Sequence, residues 1–202
     1  MVTKVMKEDT ELREVPLSSE ELYQGRIVHL FCDKVRLPNG KEATREVIRH
    51  VGAVCVVPLT SEGEVICVRQ YRYPTGQVLL EIPAGKLDSP QEDREEAIRR
   101  ELREETGCRC GKLTRLGDLY TTPAYVDERI TLYLAEDLQP GEQDLDEDEF
   151  LHVVRIPLEE LCDRILAGEV TDAKTQAAVL RVCLMKQREA ASARKGEGRT
   201  LC

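Results

Sequence analysis

Residues 85–108 read GKLDSPQEDREEAIRRELREETGC, and within them Arg100-Glu101-Leu102-Arg103-Glu104-Glu105-Thr106-Gly107 sets three carboxylates into five positions of a helix-forming run. At 3.6 residues per turn, Glu101, Glu104 and Glu105 fall at i, i+3 and i+4, on one face with Cβ atoms about 5–6 Å apart. Like charges that close repel, by a few tenths of a kcal/mol per pair in water and by more when shielded from it. A divalent cation reverses the sign, since hard cations such as Mg²⁺ take oxygen ligands and bridge carboxylates to substrate phosphates. A solvated charged helix is the plain alternative, because Arg99, Arg100 and Arg103 alternate with the glutamates. The flanks argue for a site instead. Glu81-Ile82-Pro83-Ala84-Gly85 brings an apolar strand to a Pro/Gly break before the acidic segment, and Gly107 stands where a left-handed residue closes a helix.

The stretch resembles the Nudix box, G-x5-E-x7-R-E-U-x-E-E-x-G-U with U apolar. The match runs through Arg100-Glu101-Leu102, Glu104-Glu105 and Gly107-Cys108, and Glu92 stands the required seven residues before Arg100. One departure exists: six residues rather than five separate Gly85 from Glu92. That leaves the helix register intact and bears on the loop geometry and on Glu92. From about residue 11 to 186 the chain is similar to the bacterial ADP-ribose pyrophosphatases of that superfamily. The resemblance is carried by Arg45-Glu46-Val47, Arg69-Gln70-Tyr71-Arg72, Leu80 to Lys86, Asp146 to Glu149, Asp172-Ala173-Lys174-Thr175, and Pro123, sixteen residues beyond Gly107.

The 202 residues suit one domain with a small appendage. No run of about 18 apolar residues marks a membrane span, and the first fifteen residues lack the apolar core of a secretory signal. A net charge of −9 argues against a nucleic-acid partner. It also means that an anionic substrate must be drawn in by local arginines and bound cations. The eight cysteines are scattered, several in apolar runs, and none has zinc spacing, which points to reduced thiols and a cytoplasmic location.

Along the chain, an extended piece is expected from Glu11 to Pro16. A strand from Arg26 to Arg36 turns at Pro38-Asn39-Gly40 into a return strand, Lys41 to His50, the Asn-Gly pair favouring positive φ at both central turn positions. Val51 to Leu59 is near-continuously apolar, as for a strand buried on both faces. Further strands are expected at 64–72, 78–82, 113–121, 129–135 and 153–156. The box helix has two candidate N-caps, Ser89 or Asp93, with Ala97, Ile98 and Leu102 on its apolar face. Helices follow from Pro157 to about Gly168 and from Ala173, capped by Asp172, to about Lys186. The remainder, 187–202, is charged and aperiodic and reads as a mobile tail. The resemblance implies that residues 1–50 are an N-terminal strand segment for dimerisation and adenine binding, and 51–186 the hydrolase domain. The fold class is α+β, and the resemblance implies the Nudix fold, a mixed β-sheet sandwiched between α-helices, here with an N-terminal antiparallel β-hairpin extension.

The resemblance implies that Glu101, Glu105 and the carbonyl of Ala84 ligate Mg²⁺ (or Mn²⁺), with Glu104 a weaker or second-metal ligand. It places the general base on the later acidic loop, on Glu147, with Glu149 as further ligand or alternative base. Arg72 offers a planar fork that suits phosphate. Arg45 and Glu46 match the family's adenine contacts, while Tyr23 and Arg26 come from the segment that in relatives crosses to the second subunit of a homodimer. Arg100 is expected to orient the box glutamates. His29, His50 and His152 are each expected in a strand and lack metal-ligand spacing, and the Asp172–Thr175 motif reads as a helix cap without chemistry. The expected substrate is a small nucleotide sugar, with ADP-ribose hydrolysed to AMP and ribose 5-phosphate. The rivals are another nucleoside diphosphate sugar or a non-catalytic sensor on the same fold.

Overall fold

In the computed structural model, residues 11–145, 147 and 149–197 are described. The expected frayed start, the acidic-loop residues Asp146 and Asp148, and residues 198–202 lie outside them. The described chain forms two compact units, one of residues 11–50 with 122–128, the other of the rest.

The first unit is an antiparallel sheet of β1 (Val15–Gln24), β2 (His29–Arg36) and β3 (Glu42–Arg49), in that order. The expected hairpin is therefore three-stranded. β1 was legible only as a short extended piece because its residues are all exposed and carry no apolar alternation. The β2–β3 turn also differs from expectation. Gly40 has φ +83° while Asn39 stays at negative φ, and Gly40 N–H donates to the Leu37 carbonyl at 2.9 Å. Pro38 fixes the first central position of a type I turn, so one left-handed glycine closes a three-residue loop. The segment 122–128 joins this unit through a parallel bridge, Ile48 to Val126, and through Asp127, whose carboxylate accepts from His50 N–H at 2.7 Å. His50 lies just past β3 rather than in a strand.

The second unit holds a mixed sheet and an antiparallel one. In the mixed sheet, β7 (Ala84–Lys86), β4 (Ala53–Pro58), β9 (Arg129–Gln139) and β8 (Arg109–Tyr120) lie in that order, β4 and β9 parallel. The other sheet orders β10 (Leu151–Pro157), β5 (Glu64–Arg72) and β6 (Gln77–Glu81). Every residue of β4 is buried. Val54 and Val56 face α1 (Arg94–Thr106) with Ile98 and Leu102, while Cys55 and Val57 face α2 (Leu158–Leu166) and α3 (Ala173–Glu197) with Leu161, Val179 and Val182. This is the layering expected for a sheet between helices. Each fully buried Val or Leu on it contributes about 1.5–3 kcal/mol.

Asp93 proves to be the α1 N-cap, its Oδ1 accepting from the Glu95 and Glu96 N–H groups. Gly107 closes the helix at φ +73°, where a Cβ would stand 2.6 Å from the Gly141 carbonyl oxygen. α3 continues to Glu197, well past Lys186. Ala, Arg, Gln, Glu and Lys dominate 187–197, so propensity carries a helix there that apolar periodicity did not mark.

Candidate active site

The carboxylates of α1 are aimed by the break between β6 and β7. Gly85 lies directly under Glu101, where a Cβ would come 1.9 Å from the carboxylate carbon. Only a bare backbone lets that carboxylate lie over β7. Ala84, Gly85, Glu101, Glu104 and Glu149 line an open cleft of about 420 Å³, together with Gln70, Lys86, Asp88 and Arg100. Glu105 points inward, 3% exposed, and its Oε2 has no hydrogen-bond partner.

The electrostatics follow from this placement. Burial, with Arg100 opposing and Glu104 reinforcing, pushes the Glu101 carboxyl up to about 7. Burial, with repulsion from Glu149 and Glu101, raises Glu105 to about 9, against the pull of the Ala84 backbone and of Lys174. Two carboxyl groups are thus held where ionisation is costly. Among the described residues, no three His, Cys, Asp or Glu side chains are already gathered closely enough to hold an ion. Arginines occupy the carboxylates instead: Arg103 contacts Glu104 at 3.0 Å, and Arg100 lies 3.5 Å from Glu101 and 3.8 Å from Glu104. The donor set, all carboxylate and carbonyl oxygen with one oxygen orphaned, fits a hard divalent cation. Seating it requires those arginine contacts to loosen.

Arg100 also reaches Glu92 at 2.5 Å and Asp88 at 3.2 Å. The other Glu92 oxygen accepts from Asp88 N–H at 2.6 Å. Glu92 therefore ties the enlarged Gly85–Glu92 loop to α1, which accommodates the extra residue, and Arg100 stands between Glu92 and the carboxylates of Glu101 and Glu104.

The acidic loop is pinned to the C-terminal end of α1. Helix ends leave carbonyls without partners, and here Asp144 N–H donates to the Glu104 carbonyl at 3.1 Å and Gln143 Nε2 to the Glu105 carbonyl at 2.5 Å. Arg103 adds an ion pair to Asp144 at 2.9 Å. Glu149, half-buried, then lines the cleft, whereas Glu147 stands exposed in a turn.

Arg72, at the end of β5, is held by Glu81 through two bonds of 2.8 Å. In the first unit, Arg45 on β3 pairs with Glu14 at 2.5 Å, Glu46 beside it is exposed, and Tyr23 and Arg26 are exposed near the β1–β2 turn. The structure thus gathers Ala84, Glu101, Glu104 and Glu149 at one cleft with Glu105 beneath. The sequence reading gave no role to Glu81, which is buried, or to Lys174, which is partly buried and paired with it. The signal available was a lone carboxylate at the end of the otherwise apolar Val78–Ile82 run.

Residues 49–179 match the family model described as the NUDIX domain, and 15–48 that of the nucleoside diphosphate sugar hydrolase N-terminal domain. The chain belongs to the Nudix hydrolase family. It is similar to the ADP-ribose pyrophosphatase of Bacillus subtilis, 42% identical over 83% of this chain and 91% of that protein. It is nearly as similar to the methanol dehydrogenase activator of Bacillus methanolicus, at 41% over 82% of this chain and 90% of the relative. Among solved structures, an ADP compounds hydrolase superposes with a TM-score of 0.78 at 28% identity, covering 88% of this chain and 96% of that one. Nudix hydrolases work with divalent metal ions, which agrees with the oxygen-rich cleft. Among the described residues no helix is long and apolar enough to cross a membrane.

Proposed function

We propose that this Nudix hydrolase cleaves the diphosphate bond of ADP-ribose, with Mg²⁺, to AMP and ribose 5-phosphate. The observation that carries the reading is Glu105, a buried carboxyl with an unpartnered oxygen, set beneath Glu101 and Glu149 where only a cation makes ionisation favourable. Glu101, Glu105 and the Ala84 carbonyl would hold the ion, with Glu104 at its margin. Bound there, it supplies neutralisation of the diphosphate charge and acidification of a coordinated water.

The chain's own groups do the rest. The Arg72 fork holds a phosphate through N–H groups left free by Glu81. Arg100 keeps the Glu101 and Glu104 carboxylates over the cleft and exchanges them as the charge there changes. A carboxylate of the acidic loop takes the proton of the attacking water as its oxygen bonds to phosphorus and the bridging oxygen leaves. Of the two candidates, Glu149 lines the cleft, and Glu147 would have to turn in from the exposed loop. Arg45 and Glu46 are proposed to receive the adenine, with Tyr23 and Arg26 from the neighbouring strand ends.

The exposed edge strand β1, with Val15, Leu17, Leu22 and Tyr23 uncovered, is proposed to pair two chains as a homodimer, since bare apolar edges seek partners. The free cysteines fit a reducing, cytoplasmic setting.

Phosphate release from a panel of nucleotide sugars, coupled to a phosphatase and run with and without Mg²⁺, tests the activity. ADP-ribose should lead and Mg²⁺ should be required. Turnover of GDP-mannose well above ADP-ribose overturns the substrate assignment, and ligand binding without turnover overturns the enzyme reading.

A further inference from the structure

A charge-neutral quartet of Arg72, Glu81, Asp172 and Lys174 lies in the second unit, and of its four members only Arg72 has a role in the reading above. Glu81 is at the core of the quartet, 1% exposed at the end of β6. Its Oε1 accepts from Arg72 Nε and its Oε2 from the same guanidinium's Nη2, both at 2.8 Å, the two-pronged geometry that fixes a guanidinium plane. Oε2 also accepts from Lys174 Nζ. Lys174, one-eighth exposed, is tethered in turn by Asp172 at 3.0 Å. Asp172 caps α3 by accepting from Thr175 N–H at 2.9 Å, and the buried Thr175 hydroxyl accepts from Ile82 N–H at 2.9 Å. The first turn of α3 is therefore bolted to the end of β6, immediately before the Ala84–Gly85 cradle.

Burial opposes ionisation of Glu81, but the Arg72 and Lys174 contacts outweigh it and hold the carboxyl below its ordinary value. A buried carboxylate kept ionised by two cations has no capacity left for a metal. What it does have is leverage on Arg72. In the β5–β6 register Glu81 sits opposite Val68, four residues before Arg72 and about 13 Å back along the strand at 3.3 Å per residue. The Arg72 side chain must lie along the sheet to reach it, on the strand face that also presents Gln70 to the cleft. The guanidinium remains partly exposed, and it feels the charge of Glu105. With Nε and one Nη2 hydrogen committed to Glu81, its Nη1 edge is the part left to meet a ligand.

We infer that Glu81 and Lys174 are positioning residues that lock the Arg72 fork in the orientation in which it receives a substrate phosphate. The inference rests on the reading of Arg72 as a phosphate contact. Loosening the lock lets an otherwise intact arginine swing out along the sheet, and both binding and turnover suffer through Arg72 alone.

A double-mutant cycle on ADP-ribose hydrolysis tests it. Arg72→Ala should lower kcat/KM about 10–100-fold, the worth of a hydrogen bond to a charged group. Glu81→Gln keeps the shape but offers one acceptor in place of two, and should lower kcat/KM about tenfold by itself but less than twofold in the Arg72→Ala background. Lys174→Met should behave as Glu81→Gln does, and Lys174→Arg should restore most of the loss. Thermal unfolding and the Mg²⁺ concentration for half-maximal rate are followed in every variant that retains turnover. If Arg72→Ala leaves kcat and KM unchanged, the phosphate-contact reading fails. If it is costly but the Glu81→Gln loss persists in full beside it, or shifts the Mg²⁺ requirement, the reading stands and the positioning inference is overturned.

Discussion

Glu105→Gln should make the metal-free protein more stable at pH 8 while abolishing turnover. The folded state holds a proton on Glu105 up to about pH 9, whereas the unfolded chain releases it near the ordinary value of 4.5. Between those values the folded state binds more protons than the unfolded one, so stability falls as pH rises. Each unit costs about 1.4 kcal/mol, so 4.5 to 8 caps the penalty at roughly 5 kcal/mol. Glutamine escapes it but buries an amide in place of the orphaned Oε2, at a cost of about 1–3 kcal/mol. The net gain is about 2–4 kcal/mol, which at about 2–4 °C per kcal/mol for a chain of this size raises Tm by roughly 4–15 °C. The assay is thermal unfolding in EDTA at pH 8 and again at pH 5, where the gain should vanish or reverse. A variant no more stable than the parent at pH 8, or a gap that ignores pH, refutes the reasoning.

The metal-free parent itself should lose stability from pH 5 to 9, because folded Glu101 and Glu105 still hold protons that the unfolded chain has released, the Glu101 share ending near pH 7; saturating Mg²⁺ should flatten that slope in calorimetric scans, and a slope unaffected by Mg²⁺ counts against the site. Gly85→Ala should fold, since Gly85 is not at positive φ, yet displace the Glu101 carboxylate; the rate should drop at least tenfold with a raised Mg²⁺ requirement, and a normal rate contradicts the packing argument. Glu149→Gln should lower kcat by about 10²–10⁴-fold, the usual worth of a general base; a silent Glu149→Gln beside a crippled Glu147→Gln would return the base to Glu147. Asp93→Ala should cost about 1 kcal/mol through the lost α1 cap, read by urea denaturation with activity per folded molecule unchanged.

The layering was legible in the sequence because β4 is apolar on both faces and α1 carries its stripe at Ala97, Ile98 and Leu102. The acidic face of α1 was legible because Glu101, Glu104 and Glu105 stand at helical spacing. The quartet was not. Glu81 and Lys174 are far apart in the chain, and their meeting depends on how α3 docks against β6, which no local pattern encodes. β1 was hidden for the opposite reason, an exposed strand that alternates nothing. The acidic loop fell between. Its charge was plain, but which carboxylate turns inward depends on the Gln143 and Asp144 bonds to the end of α1.

The central claim is that the α1 carboxylates serve to grip a cation. Titrating Mg²⁺ into the substrate-free protein by calorimetry, beside Glu101→Gln and Glu105→Gln, addresses it without reference to turnover. Saturable binding in the parent that is lost in both variants is the predicted result. Equal binding in all three proteins, or none in the parent even with the product AMP present, would contradict it.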